Sequence, residues 1–387
     1  MNEVPIIYLD HAAATPLDQV VLRAMEPFLT DNFYNPSSPY APAVKVRRQL
    51  EEARHRLAVC IGAHADDIIL TAGATESIAL ALTAGTDGHI ITTAIEHPAV
   101  LENARRYDLS VVSVERNGRI DPAAIEQAIT AQTQIVSVGL ANSELGTIQP
   151  LKEIAALVAA ERSRRQDSGE DRPIWLHSDA SQGAGLYDMN LSRLGVDLLT
   201  INAAKLYGPK QVGLLWRRPG IKLRSLFGGG GQEMGLRSGT ESVAGAVGFA
   251  TALERAEKKR KSEVKRLAEL RDYMQSELAG AIDIMEVSGS QKHRLPGHLH
   301  ITFPGVDAER LIFMLESRGV LVATGSACAA NKGSRSHVLE AIGMNESSAD
   351  GSLRITLGRS STLANIELAT AAIIESVQSE LTRTGRL

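Results

Sequence analysis

Short apolar runs and helix-forming stretches take turns from Ile68 to Trp216, and this alternation narrows the fold more than any other feature. The runs are Ile68 to Thr71, His89 to Thr93, Leu109 to Val114, Gln134 to Leu140, Ile174 to His177, Asp197 to Ile201 and Val212 to Trp216. Between them lie helix starts. Gly73-Ala74-Thr75-Glu76-Ser77 turns from strand to helix, His97-Pro98 puts proline in a first turn, and Asp121-Pro122 pairs a cap with proline. Leu151, Ile154, Ala155 and Val158 recur at amphipathic spacing, and Ser163 to Arg172 reads as a charged loop. Strands separated by helices need crossover connections. The alternation therefore predicts a largely parallel sheet between helices.

The flanks read differently. Ile6 to Leu9 is a short strand and Asp10 to Pro16 a small-residue turn. Val21, Met25, Phe28 and Leu29 recur at helical spacing, whereas Tyr34 to Pro42 holds three prolines and two serines and is irregular. A charged helix follows from about Val44 to Val59, with Cys60 at its apolar end as a small core hydrophobe. Beyond Glu254 the character changes. Seven basic residues fall between Arg255 and Arg266, which reads as a solvated helix face leading on to Leu278. A second α/β unit then holds Ile301-Thr302-Phe303, the Ala308 to Arg318 helix, the Cys328 loop and the Leu353 to Leu357 strand. At 387 residues the chain exceeds what one core serves. The expected division is a large domain over 14–254 and a small one from 1–13 and 255–387.

Charge and cysteine usage bound the partners. A net charge of −4 does not favour nucleic acid, and no apolar run reaches the length of a membrane span. The first ten residues lack a signal peptide's basic start and apolar core. Two cysteines, Cys60 and Cys328, cannot form a disulfide framework, so a reducing, cytoplasmic setting is expected.

In open α/β sheets ligands bind beyond the carboxyl ends of the strands, and the reactive residues gather at that edge. The backbone N–H groups of Gly73-Ala74-Thr75, at a helix start, suit a phosphate. His97 opens another helix. Asp179 ends the Ile174 to His177 strand, with Gln182 three residues on. Lys205 stands at the exit of the Asp197 to Ile201 strand. A carboxylate at such an edge can keep a pyridinium nitrogen protonated, and a desolvated lysine can form a Schiff base. Both are needs of pyridoxal 5'-phosphate (PLP). Each residue also admits a plainer role, as a helix cap or a surface charge; the shared edge favours the cofactor. Cys328 sits in the glycine-punctuated run Thr324-Gly325-Ser326-Ala327-Cys328, where Lys332 and Arg335 favour a thiolate. Arg354 can clamp a carboxylate bidentately. His298 and His300 share one strand face, but with no third ligand they read as strand packing and no metal is expected.

These stretches together resemble the cysteine desulfurases of the NifS/IscS-like branch of the fold-type I PLP enzymes, the aminotransferase class V group. The carriers are Y-L-D-H-A-A-A-T-P, N-P-S-S, T-A-G-A-T-E-S, E-H-P-A-V, H-S-D-A-S-Q, K-L-Y-G-P-K, G-G-G-G-Q-E-M-G-L-R-S-G-T-E, T-G-S-A-C and L-R-I-T-L-G-R. The resemblance implies a large domain with a mostly parallel seven-stranded sheet between helices and a smaller α/β C-terminal domain. It implies a PLP-dependent enzyme that converts L-cysteine to L-alanine and leaves the sulfur on Cys328 as a persulfide. Lys205 matches the Schiff-base lysine, Asp179 the partner of the pyridine nitrogen, and Gln182 the residue at the phenolic oxygen. His97 matches the histidine that stacks on the ring and moves protons. Ala74 and Thr75 match the phosphate cradle, and Arg354 the binder of the substrate carboxylate. Thr240 matches a threonine that reaches the neighbouring subunit's phosphate, which implies a homodimer with shared active sites. The sulfur acceptor would be an iron–sulfur scaffold or a tRNA-thiolation relay.

Some positions depart from the family. Its S-G-H before the lysine is here Asn202-Ala203-Ala204, so the cradle loses a donor at Ala204 and Asn202 stands for the serine. Its N-N-E-I-G is here Asn142-Ser143-Glu144-Leu145-Gly146, so a shorter Ser143 faces substrate beside Asn142. Tyr40 stands where a histidine is common. Selenocysteine lyase and a catalytically weakened sulfur-relay subunit are the alternative functions.

Overall fold

In the computed structural model the described residues are 5–85, 88–325 and 335–386. The strands, in chain order, are β1 (Ile7–Tyr8), β2 (Ile68–Thr71), β3 (His89–Thr93), β4 (Asp108–Val112), β5 (Thr133–Ser137), β6 (Trp175–Asp179), β7 (Leu198–Asn202), β8 (Gly213–Arg217), β9 (Glu286–Ser288), β10 (His298–Thr302), β11 (Val320–Leu321) and β12 (Ser352–Thr356). Seven of them form one sheet in the order β2-β8-β7-β6-β5-β3-β4. Every pairing in it is parallel except those of β8, which runs against both neighbours. The parallel centre is the outcome that the alternation predicts. The reversal of β8 follows from the short turn after Lys205, which leaves no room for a crossover helix. Strands β2, β3 and β5 are buried at every residue, because helices cover both faces.

Two apolar clusters organise the rest. One gathers Val21, Leu57, Val136, Leu176, Ile201 and Phe249 with their neighbours. The other gathers Leu9, Leu270, Leu299, Phe303, Ile355 and Ile373. The helix Val243–Ala281 serves both. Its first turns are small residues packed so closely that a Cβ on Gly245 would lie 2.6 Å from Val212. Its later turns bury Leu267, Leu270, Met274 and Leu278 in the second cluster. There the antiparallel sheet β12-β10-β9 holds the C-terminal helix Leu363–Arg383 against it, and the N-terminal β1 pairs with β11.

Two expectations change. Ser163 to Arg172 is not a loop throughout: the helix Leu151–Asp167 continues into it. Glu161 pairs with both Arg164 and Arg165 at helical spacing, which supports those turns. Arg165 is fully buried and donates to the carbonyls of Thr133 and Thr130 at 2.7 and 3.0 Å. The basic run after Glu254 is also not one solvated face. Its lysines are exposed, but Arg255, Arg260 and Arg266 are half-buried and paired with Asp18, Glu257 and Glu263. Cys60 is half-buried and burial pushes its thiol up to about 12, which suits an inert packing residue. Among the described residues, no helix is long and apolar enough to cross a membrane.

Candidate active site

A cavity of about 280 Å³ opens where five segments of the large sheet end. The turn after β2 brings Ala74 and Thr75. The loop after β3 brings Glu96 and His97, and the loop after β5 brings Asn142 and Ser143. Strand β6 ends in Asp179 with Gln182 beyond, and β7 ends in Asn202 with Lys205 beyond. The N-terminal turn closes one wall with Ala12 and Ala13, and Arg354 enters from β12.

Lys205 leaves a single 3-10 turn after β7, and its Nζ donates to the carbonyls of Ala12 and Ala13 at 2.8 and 2.6 Å. Gln182 Nε2 donates to the same Ala12 carbonyl at 3.1 Å. Asp179 Oδ1 accepts from the amide and hydroxyl of Ser181 at 2.9 and 2.6 Å, which leaves Oδ2 to the cavity. Beneath it His177 is gripped between Ser137 and Thr200. Burial lowers His177 to about 4 against the pull of Asp179, so it is neutral.

His97 caps the helix Pro98–Ala104: its Nδ1 accepts the Ala99 amide at 3.0 Å. That bond assigns the neutral ring's proton to Nε2. Burial lowers its pKa, Asp179 opposes the change, and Lys205 and His337 add to it. The cap and the cavity role therefore coexist in one side chain. Glu96, its neighbour, is buried with its carboxyl bonded to Thr93 and to the Gly139 amide. Burial pushes Glu96 up to about 7, with Asp179 adding to the rise.

The segment expected to cradle a phosphate begins at Gly73, whose φ of +123° suits glycine. A Cβ on Gly213 of β8 would lie 2.7 Å from its backbone, so two glycines let sheet and turn close. The amides of the following turn have no intrahelical partner by geometry. Asn202 Oδ1 accepts the Ala204 amide at 3.2 Å. Asn142 spends its amide on two loops, donating to the Ile95 carbonyl after β3 and accepting from the Glu144 and Leu145 amides of its own loop. Arg354, with a nearly inaccessible side chain, pairs with Asp10 at 2.7 Å, and its buried Nε has no partner among the described residues.

Some expected residues stand apart. Thr240 is exposed and does not line this cavity. Cys328 and Lys332 lie outside the described residues. Arg335 is already bound by Asp350 and Glu346, both at 2.9 Å, so its charge is not reserved for a thiolate. His298 and His300 are fully enclosed in β10, as strand packing requires, and no group of three metal-ligating side chains occurs among the described residues.

The class-V aminotransferase family model matches residues 7–368. The chain belongs to that family. Its curated relatives include several cysteine desulfurases. The cysteine desulfurase IscS of Dictyoglomus turgidum is 40% identical over 365 residues, covering 91% of this chain and 89% of its own. A solved NifS-like protein superposes with a TM-score of 0.88 at 31% identity, over 97% of this chain and all of its own. SspA, solved in complex with cysteine, has a TM-score of 0.76 at 31% identity, over 90% and 98%.

Class-V enzymes depend on PLP, and the cavity's donor set fits that group. It offers an amine at Lys205, a carboxylate at Asp179, a flat neutral ring at His97 and open first-turn amides at Ala74 and Thr75. Glu96, Ser181, Asp10 and the carbonyls of Ala12 and Ala13 were not among the site residues read from sequence. All of them stand inside the E-H-P-A-V, H-S-D-A-S-Q and Y-L-D-H-A-A-A-T-P motifs, which is the signal for them; that the Ala12 and Ala13 carbonyls take part is not written in a side chain.

Proposed function

We propose that this chain is a PLP-dependent cysteine desulfurase acting on L-cysteine. The observation that carries the proposal is convergence. Lys205, Asp179, His97 and Arg354 come from four distant segments and border one cavity in a chain 40% identical to a cysteine desulfurase. Lys205, Asp179, His97, Gln182, Asn202 and the Ala74-Thr75 turn would hold the cofactor. Bound PLP supplies an electron sink that lets the substrate's carbon–sulfur bond open.

The protein's own groups do the rest. Arg354 binds the substrate carboxylate, with Ser143 at the same wall. Lys205 Nζ takes the Cα proton and returns it. Neutral His97 holds its proton at Nε2, facing the cavity, and relays it. Cys328, as thiolate, attacks the substrate sulfur: the S–S bond forms, the C–S bond breaks, and the carbon keeps the electron pair and takes a proton to become alanine. A free thiol titrates near ~8.5, so a base must take its proton first; both ring nitrogens of His97 are occupied, so the incoming substrate takes it.

The protein works as a homodimer in a reducing cytoplasm. Thr240 of each chain serves the cavity of the other, and a sulfur-acceptor protein empties Cys328. The division into 14–254 and 1–13 with 255–387 separates the cofactor-holding unit from the unit carrying Arg354 and Cys328. The test is to treat PLP-loaded protein with L-cysteine, alkylate it and map the modified peptide. A persulfide on Cys328 that vanishes in Lys205→Ala supports the function. Alanine formed without any persulfide points instead to a lyase.

A further inference from the structure

The run Gly228 to Glu241 is exposed over most of its length, yet Glu233 in its middle is buried. The Glu233 carboxylate takes both Nη atoms of Arg54, at 2.6 and 2.8 Å, and the Leu70 amide at 2.8 Å. Arg54 is equally buried and also donates to the Ile68 carbonyl at 2.9 Å. Ile68 and Leu70 belong to β2, which ends in the Gly73 turn. A second tie lies four residues on: Arg237 reaches Glu76 at 3.2 Å, and Glu76 itself receives the Ala72 amide.

The braced backbone is unusual. Glu233 and Met234 are consecutive non-glycine residues at φ of +48° and +59°. Such a conformation persists only where surrounding contacts over-determine it. Here those contacts are a buried, bidentate, charge-assisted pair. A buried ion pair is weak as a source of stability but defines one geometry well. The geometry it defines does not serve this chain's own cavity, since Thr240 at the end of the run is exposed and outside it.

We infer that Glu233 and Arg54 are positioning residues that act across the dimer, holding Gly228 to Glu241 of one chain so that Thr240 meets the cavity of the other. This rests on the homodimer proposed above. One chain's β2 then carries its own cradle turn on one side and, through the brace, its neighbour's phosphate contact on the other.

The test separates cis from trans. Two differently tagged chains are co-expressed, the heterodimer is isolated, and PLP binding is read from the visible absorbance of the Lys205-bound form. In the first heterodimer one chain carries Lys205→Ala and the other Glu233→Gln. Its only lysine-bearing site is completed by an intact brace, and it should bind PLP as tightly as the native site. In the second heterodimer both substitutions sit on one chain beside a native partner. Its lysine-bearing site receives the unbraced run and should bind about tenfold more weakly. The reverse ranking, or equal affinity in the two, overturns the inference. Chains that sediment as monomers overturn the shared-site reading itself. Should Glu233→Gln not fold, Arg54→Met with Glu233→Met replaces the pair without stranding a charge, and the same ranking is required.

Discussion

The carboxyl edge of the large sheet and the small sheet β12-β10-β9 both bury polar groups, but they treat them in opposite ways. At the large edge His177, Asp179 and Asn142 are tied down within the protein, although the buried Ser178 Oγ beside them has no partner among the described residues. His177 is bonded at both nitrogens, Asp179 is held by Ser181, and Asn142 is bonded at both ends of its amide. In the small sheet, among the described residues, His298 and His300 lack partners at both nitrogens, and Arg354 lacks one at Nε. Satisfied groups keep their geometry whether or not a ligand arrives, which suits a resident cofactor. An under-satisfied cation held, among the described residues, by Asp10 suits a passing anion, such as the carboxylate of an amino acid. The difference supports the proposal that cofactor and substrate are held by different parts of the fold.

Four measurements test the separation of the two regions. The largest effect belongs to His97. His97→Ala removes a proton carrier and should lower kcat by about a thousandfold with little change in KM, measured as alanine release. An equal rise in KM would move His97 to the substrate side.

The second effect is on stability. The Glu96 carboxyl binds its proton more tightly folded than unfolded, so its contribution is full below the ordinary pKa of 4.5 and is lost as pH rises to about 7. Glu96→Gln should therefore be matched with the native protein at pH about 4 and more stable by on the order of 3 kcal/mol at pH about 8. Urea midpoints at the two values check this, and a constant difference would contradict it.

Third, Arg354→Leu should raise KM for L-cysteine about thirtyfold while PLP affinity stays near native. Parallel losses in both would erase the distinction between the two regions. The smallest effect is in acid. Burial lowers His300 to about 3, and Arg354 adds to the shift, so its contribution is present above pH 6.5 and is lost as pH falls towards 3. Between pH 6.5 and about 5.5 the native protein should lose about 1 kcal/mol that His300→Leu retains. Unfolding curves of both proteins at each pH decide it.

The large sheet was legible because its signals are local. Apolar runs between helix starts gave seven strands, and strand ends gave Lys205, Asp179 and His97. The small sheet's part was legible only as separate residues. Arg354 and Asp10 meet across most of the chain, and nothing in either motif announces the pair. Arg165 was misread for a related reason. Charge in sequence suggests solvent, and only the packed helix reveals carbonyls waiting for a buried guanidinium. Glu96 went unremarked for the same reason, since burial of a carboxyl depends on loops distant in sequence.

The most direct measurement is alanine release from L-cysteine by PLP-loaded native protein beside Lys205→Ala. The account predicts steady alanine production by the native protein and none above background for the variant, which also lacks the bound-cofactor colour. Native protein that holds PLP yet releases no alanine, or a Lys205→Ala protein that still does, would contradict it.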